Sequence, residues 1–329
     1  MRFGLAPIVH SISLCLKGAS LVYPDNIGFH RVRRLRFLIR SLIWWRTTIP
    51  WLVVCIRSRH SDVVRRYPWI IERIHRPFLH RSLSPRQRLG VSVEHAYLSR
   101  ALAPRIVNEL VRDGLCPLAM MSSCAERWYV QVEMLHRFSK EGDWTLTIRD
   151  ARGARLVSCT FSIATIGGKR LRPRLLIGCV QGPDRSMDGR DLYRLLTKQW
   201  YGLRPKSLIV YLAQSLADAL GLQSVLMVKN ESHVYSSWRY RHPKHQISAD
   251  YRSLCSTLGS LRSWEGWFVL DVPQARVKDR QGITSPDQLA TKREKRKLLK
   301  NSLDVQIRTA VHGCVAGRAR EAKYSGTLF

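Results

Sequence analysis

Apolar positions recur at every third or fourth residue in some stretches of this chain and at every second residue in others, and the change of period divides it. In the stretch 85–101, Leu89, Val93, Tyr97 and Ala101 stand four apart behind Ser84-Pro85, a capping serine and a first-turn proline, which predicts a helix. Residues 104–112 predict a second amphipathic helix, stopped at Gly114. Upstream, residues 67–79 read as an aromatic and arginine-rich helix closed near Pro77. Residues 1–115 are therefore expected to form a basic, mainly helical N-terminal region.

Beyond residue 115 the period falls to two. Residues 128–135, 144–148 and 156–163 are strand-like. In the last of these Val157, Cys159, Phe161 and Ile163 face one way and Ser158, Thr160 and Ser162 the other. Asp150-Ala151-Arg152-Gly153 supplies turn chemistry, so these strands are expected to form an antiparallel meander. Residues 175–180, 223–228 and 266–271 add a fourth, fifth and sixth strand. Between the fourth and fifth lies a helix opened by Pro205, carrying Leu208, Leu212, Leu216 and Leu220 on one face and ended by Gly221. The sum is an α+β fold: a helical basic N-terminal region packed on a mixed, mainly antiparallel central sheet spanning 116–272, followed by a basic helical C-terminal region, 273–329, with a frayed end from Gly317.

Charge changes the picture more than length does. The 329 residues carry 55 Lys and Arg against 24 Asp and Glu, a formal +31 that far exceeds what solubility requires and points to an anionic partner. A small anionic molecule, an anionic lipid surface and nucleic acid all satisfy that charge; no RNP, KH or zinc-finger pattern supports nucleic acid. The eight cysteines include no C-x-x-C pair, and Cys159 and Cys179 sit inside apolar runs, so they read as free buried thiols of a reducing compartment, the cytoplasm. His233, His242 and His245, without an ordered carboxylate partner, make no zinc pattern, and no metal is expected. The first 19 residues lack a clean signal-peptide core. Residues 42–56, rich in Trp and flanked by Arg, are too short and too interrupted by Arg46 and Pro50 to span a bilayer; they fit a helix packed on the core, or one lying at a membrane interface. The basic run 292–297 reads as a solvated helix face that permits contact with an anionic surface, and a place peripheral to the inner membrane is compatible with both segments.

Candidate chemistry gathers around the fourth and fifth strands. Gln181-Gly182-Pro183-Asp184 leaves one strand and precedes a helix expected near Asp188 or Asp191, so its backbone N–H groups are candidates for holding a phosphate. His233 and Tyr235 follow the carboxyl end of the next strand, where open sheets place ligands, and form a candidate base and acid. Asn230 crowds beside them. Asp250 is expected either to serve the site or to pair with Arg239 or Arg241. The strand–loop–helix geometry resembles the pyrophosphate corner of GNAT-type acyltransferases, although their usual glycine-containing run is absent.

Several blocks carry a closer resemblance. Tyr67-Pro68-Trp69, Arg76-Pro77-Phe78-Leu79-His80-Arg81, Phe138-Ser139-Lys140-Glu141-Gly142, the run 177–183, Leu195-Leu196-Thr197-Lys198, Gly202-Leu203-Arg204-Pro205-Lys206 and His233-Val234-Tyr235 resemble, in this order, the VirK/YbjX proteins of the DUF535 family. Ala249-Asp250-Tyr251 and the run 291–296 resemble its later blocks, the match extending from about residue 20 to about residue 310; the more basic run 292–300 departs from the family's usual serine, lysine and tyrosine-rich ending. The resemblance implies a protein of Gram-negative bacteria, linked in some members to virulence and to resistance against host antimicrobial peptides, with no defined biochemical activity. Within these blocks and the polar cluster, Gln181, Gly182, Lys198, Arg204, Lys206, Asn230 and Asp250 are candidate ligand contacts. The leading expectation is a protein that engages an anionic ligand or surface in envelope or stress adaptation. The alternatives are an acyltransferase using acyl-CoA or another acyl thioester, with a cleft between the strands at Val180 and Val228, and a nucleic-acid-binding protein.

Overall fold

A computed structural model of the chain describes residues 5–25, 28–123, 126–166, 172–184, 189–240, 250–259, 262–272 and 291–313. Helices α1 (Leu5–Val22), α2 (Gly28–Ile43), α3 (Trp45–Arg57) and α4 (Ser61–Arg66) precede a 3-10 helix, Pro68–His75. Helices α5 (Pro85–Leu102) and α6 (Pro104–Asp113) lead into the sheet. Their ends are those the sequence announces. Ser84 and Gln87 form a reciprocal capping box at the start of α5, and Gly114 closes α6 in the left-handed conformation at φ 86°.

The sheet has eight strands in the order β1-β2-β3-β4-β5-β6-β8-β7. They are β1 (Leu115–Ser123), β2 (Glu126–Glu133), β3 (Trp144–Asp150), β4 (Arg155–Ala164), β5 (Arg174–Gln181), β6 (Val225–Val228), β7 (Ser263–Trp264) and β8 (Trp267–Leu270). All neighbours pair antiparallel except β5 and β6, which run parallel and are joined through α7 (Gly189–Gln199) and α8 (Pro205–Ala219). The short helix α9 (Tyr251–Thr257) precedes β7, and α10 (Lys292–His312) follows the sheet. The α+β class and the mixed, mainly antiparallel sheet thus agree with the expectation from the periodicity.

Two strands escaped the periodicity. In β1, Pro117 and the run of small and flexible residues mask the alternation, because an edge strand needs fewer ladder bonds. Its open edge is covered by α10: Gln306 accepts from the Met120 N–H at 2.9 Å and donates to the Met120 carbonyl at 3.2 Å, standing in for a neighbouring strand. The two-residue β7 is too short to carry a period. The run 67–79 contains a 3-10 helix ending at His75 rather than an α-helix reaching Pro77.

Every residue of β4 is buried, so both of its faces are covered; α5 and α8 both pack on it. The helical region is tied to the sheet by a polar junction as well as by apolar packing. Arg73 of the 3-10 helix pairs with the buried Asp143 before β3, Ser162 donates to the same carboxylate at 2.6 Å, and His95 of α5 accepts from the Ile163 N–H at 3.1 Å. Burial holds His95 and His60 down to about 4 and, with the repulsion of Arg40 and Arg76, His75 to about 3.

The bulge that shapes the site lies in β5. Thr160 pairs with Cys179 and Phe161 with Ile177, leaving Gly178 as the extra residue. A Cβ at 178 would lie 1.9 Å from the Glu141 carbonyl oxygen, so glycine alone permits this approach.

Two outcomes follow from this packing. The unfolded chain takes up protons on His60, His75 and His95 at their ordinary values, before the folded chain does. Stability is therefore fully present above about pH 6.5 and is lost as the pH falls toward about 4, by up to about 1.4 kcal/mol per pH unit for each histidine. Urea midpoints measured at about pH 7 and about pH 5 should differ in that direction, and equal midpoints would contradict the burial. Gly178→Ala should cost at least ~1–3 kcal/mol by the same assay, whereas Gly153→Ala, with nothing near its Cβ, should lose only the cost of its positive φ.

Candidate functional site

The parallel pair β5/β6 is short. It holds Leu175 against Val225, Leu176 against Leu226 and Ile177 against Met227, and then stops at the Gly178 bulge. Past that point β5 continues without β6. The Val180 N–H instead donates to the Tyr251 hydroxyl at 3.2 Å. Tyr251 begins α9, and its own N–H donates to the Asn230 side-chain oxygen at 3.1 Å, in the turn that leaves β6. Asn230 and Tyr251 thereby bridge the gap between the strands.

Beside the bulge lies a buried polar cluster of Glu141, Cys179 and His233, whose ligand-type atoms all fall within 4.8 Å of one another. Glu141 comes from the tight segment before β3, Cys179 from β5 just past the bulge, and His233 from the turn after β6. His233 Nε2 stands 3.4 Å from Glu141 Oε1, and the Gln181 amide stands 3.4 Å from the same oxygen. The other ring nitrogen, Nδ1, accepts the Tyr235 N–H at 3.2 Å. A neutral ring that accepts at Nδ1 carries its proton on Nε2, so this hydrogen-bond pattern assigns His233 as an N–H group facing the carboxylate. Three such donors resemble part of a metal site, but metal-bound histidines donate from their second nitrogen, and His233 accepts there. Among the described residues, His233 Nε2 and Glu141 Oε2 are buried and make no hydrogen bond.

The surrounding electrostatics hold protons on the neutral partners. Burial, and then the Glu141 charge, push the Cys179 thiol well above its ordinary value. Tyr251 is raised well above its ordinary value by burial and by Cys179 and Glu141, and Tyr235 is raised by burial and by Glu141. Cys179 is thus a protonated thiol and not a ready nucleophile.

A cleft of about 620 Å³ opens between α7, the head of α8 and α9, and Glu141, Cys179 and His233 are not among its lining residues. Arg190, Arg194, Arg204 and Lys206 line it, with Tyr193, Asp250 and Leu254 among the other wall residues. Arg204 is the N-cap of α8 and makes no side-chain cap bond, so the first N–H groups of the 15-residue helix have no side-chain cap there. Burial lowers the Lys206 ammonium, and the nearby Cys179 links it to the polar cluster.

The residues singled out from the sequence separate into groups. His233, Tyr235 and Gln181 join the buried cluster, and Asn230 ties it to α9. Arg204, Lys206 and Asp250 line the cleft. The Gly182 carbonyl accepts from Arg155, while Asp184 of the same loop pairs with Arg137 at 2.6 Å and Arg155 at 2.9 Å. Lys198 is exposed in the last turn of α7, away from both cluster and cleft. Asp250, expected either to serve the site or to pair with Arg239 or Arg241, caps α9 by accepting the Ser253 N–H at 3.0 Å; Arg241, His242 and His245 lie outside the described residues. Sequence reasoning did not single out Glu141, Cys179 or Tyr251 as site residues. Each lies in a block that resembles the family, but no spacing shows that three segments so far apart in the chain converge.

No helix among the described residues is long and apolar enough to cross a membrane. Over 256 residues, 77% of this chain and 76% of the relative, the sequence is 30% identical to the uncharacterized protein YbjX of Escherichia coli strain K12. A shorter stretch of 86 residues is 37% identical to a protein of Mannheimia haemolytica named Membrane protein LapB, covering 26% of this chain and 35% of that one. The family model described as "Protein of unknown function (DUF535)" matches residues 27–295, and the chain belongs to that family.

Proposed function

We propose that this protein is an acyltransferase that takes its acyl group from a phosphate-bearing thioester such as acyl-CoA. One observation carries the reading: a basic cleft lies at the head of α8, the helix that joins the parallel strands β5 and β6, and those strands part at a glycine bulge. A strand pair that stops pairing leaves backbone and space for an extended ligand arm, while cations at a helix N-terminus suit its phosphates. The arrangement resembles that of GNAT-type acyltransferases in placing the start of a helix between two parallel strands that part.

The residues present fit such a ligand. Arg190, Arg194, Arg204 and Lys206 offer the phosphate contacts. Glu141 Oε2, fully buried, has no hydrogen-bond partner among the described residues. A bound thioester supplies an activated carbonyl, to which an amine or hydroxyl of the acceptor adds as the carbon–sulfur bond breaks. Glu141 receives the acceptor's proton, with Gln181, partly exposed, marking the route from solvent. The departing sulfur takes its proton from solvent, since burial holds the proton on Tyr251, whose oxygen accepts the Val180 N–H. Tyr235 shields the cluster, its ring centroid 5.5 Å from that of His233. By resemblance to its family, such an activity would serve envelope adaptation and survival in a host.

Calorimetric titration of the full chain with CoA and acetyl-CoA tests the reading. Arg204→Ala with Lys206→Ala should weaken binding by about tenfold or more, and Lys198→Ala should leave it unchanged. Thiol release from acetyl-CoA with a mixed amine and alcohol acceptor set should fall by roughly 10²-fold in Glu141→Gln without loss of CoA affinity. Absence of binding to any CoA species would overturn the proposal.

A further inference from the structure

A second basic cavity lies on the far side of the Phe138–Gly142 segment from the buried cluster, and it stands independently of the thioester reading. It measures about 230 Å³ and draws its walls from five parts of the chain: Tyr23 after α1, α2, the 3-10 helix and its exit, the turn before β3, and the turn at 238–240. Six cations converge there, Arg33, Arg36, Arg40, Arg76, Lys140 and Arg239, against the lone carboxylate of Glu72 among the lining residues. Glu72 is already engaged, accepting from Arg76 and from the Tyr23 hydroxyl. The cost of the assembly is visible in its members. Burial and the repulsion of Arg239 and Arg76 pull Arg40 below its ordinary value, and burial and Arg76 do the same to Lys140. Cations held together in a partly buried site call for a multiply charged anion.

The surface next to the cavity specifies what carries that anion. Arg33, Arg36 and Arg40 lie along one flank of α2, which contains five arginines and no acidic residue. Its buried face presents Phe37 and Ser41 to the protein. Adjoining the arginine flank, on the side turned from the core, runs a second apolar row, Phe29, Val32, Leu35, Ile39, Leu42 and Ile43, of which Leu42 is 77% exposed and Ile43 64%. Trp45 continues it at 57%. A helix apolar on two faces has a use for both, and a solvent-facing row beside arginines is the pattern of a helix lying in a lipid interface. Arg33 stacks over Phe29 at 4.1 Å and Arg46 over Trp45 at 5.5 Å, pairing headgroup-seeking and interfacial side chains. The part of the segment 42–56 that follows Arg46 does not join this face: Thr47, Trp51, Leu52 and Cys55 are buried in the core.

We infer that α2 docks this protein on an anionic phospholipid surface, its outer apolar row entering the acyl boundary while the Arg33/Arg36/Arg40 cavity takes the phosphate of one headgroup. The two features need each other. A soluble phosphate would leave the apolar row without purpose, and an apolar partner would leave the cations unmatched.

Sedimentation of the full chain with phosphatidylcholine vesicles, and with the same vesicles containing phosphatidylglycerol, tests the inference. Binding should require phosphatidylglycerol and should weaken by about tenfold or more in Arg33→Ala with Arg36→Ala, and likewise in Val32→Ser with Ile39→Ser. All four side chains are exposed, so circular dichroism and urea midpoints should match the parent protein. Three results would overturn it: no binding to the anionic vesicles, binding that survives both pairs of substitutions, or loss with the arginine pair alone while inorganic pyrophosphate competes fully, which marks a soluble phosphate site. A concentration-dependent dimer abolished by Val32→Ser with Ile39→Ser, without vesicle binding, would reassign the row to contact between copies of the chain.

Discussion

The missing side chain at position 178 is the constraint from which the candidate site is built. Because no Cβ stands there, the Glu141 carbonyl can close on the strand, and the extra residue of the bulge turns Cys179 toward the carboxylate of Glu141. The same bulge ends the pairing of β5 with β6, so His233 and Asn230, which leave β6 at that level, meet side chains of β5 instead of a continuing ladder. Backbone groups freed by the parting must still be satisfied. Tyr251 does this for Val180, which is why a helix starts just there and why its first hydroxyl sits against Cys179.

Part of the excess positive charge gathers at two separate places. Around the head of α8, cations border an apolar-walled cleft deep enough for a small molecule. Around α2, they border an exposed apolar surface and a narrower cavity. Elsewhere, arginines are consumed structurally: Arg73 in the buried pair with Asp143, Arg149 against Glu133 at 2.9 Å, Arg308 against Asp218. A formal charge of +31 is therefore not one patch.

Legibility from sequence followed the physics of each element. Helices with local signals, such as Ser84 with Gln87 or Gly114 after α6, were readable because cap and partner lie within one turn. The buried strands β4, β5 and β6 were readable from their apolar runs, whereas β1 was not, since an edge strand containing Pro117 owes its place to β2 and to Gln306 far along the chain. His233 and Gln181 stood out as polar residues at strand ends. Glu141 did not, because a lone acid in a turn has no pattern; its role depends on a close approach that only the folded bulge creates. The apolar row of α2 was equally hidden. With Phe37 on one face and Val32 and Ile39 on another, its apolar residues spread round the helix and blur the stripe by which an amphipathic helix is recognised.

Lys140 and Glu141 place the two sites on either side of a single peptide unit. Lys140 reaches into the α2 cavity, its ammonium 4.5 Å from the centre of the Tyr240 ring and 5.4 Å from that of Tyr235, while Glu141 turns inward to His233 and Cys179. Tyr235 touches both, since its ring also packs on His233 and its backbone N–H sets the His233 tautomer. Its position is fixed by cations on one side and by a carboxylate cluster on the other. An anion that neutralised the cavity would remove the repulsion on Lys140 from Arg76 and Arg239, leaving it a stronger cation beside Glu141. The segment from Phe138 to Gly142, held by Gly178 at one end and by the Leu79 N–H bonded to the Lys140 carbonyl at 2.7 Å, therefore contributes a wall to the cavity and a carboxylate to the cluster.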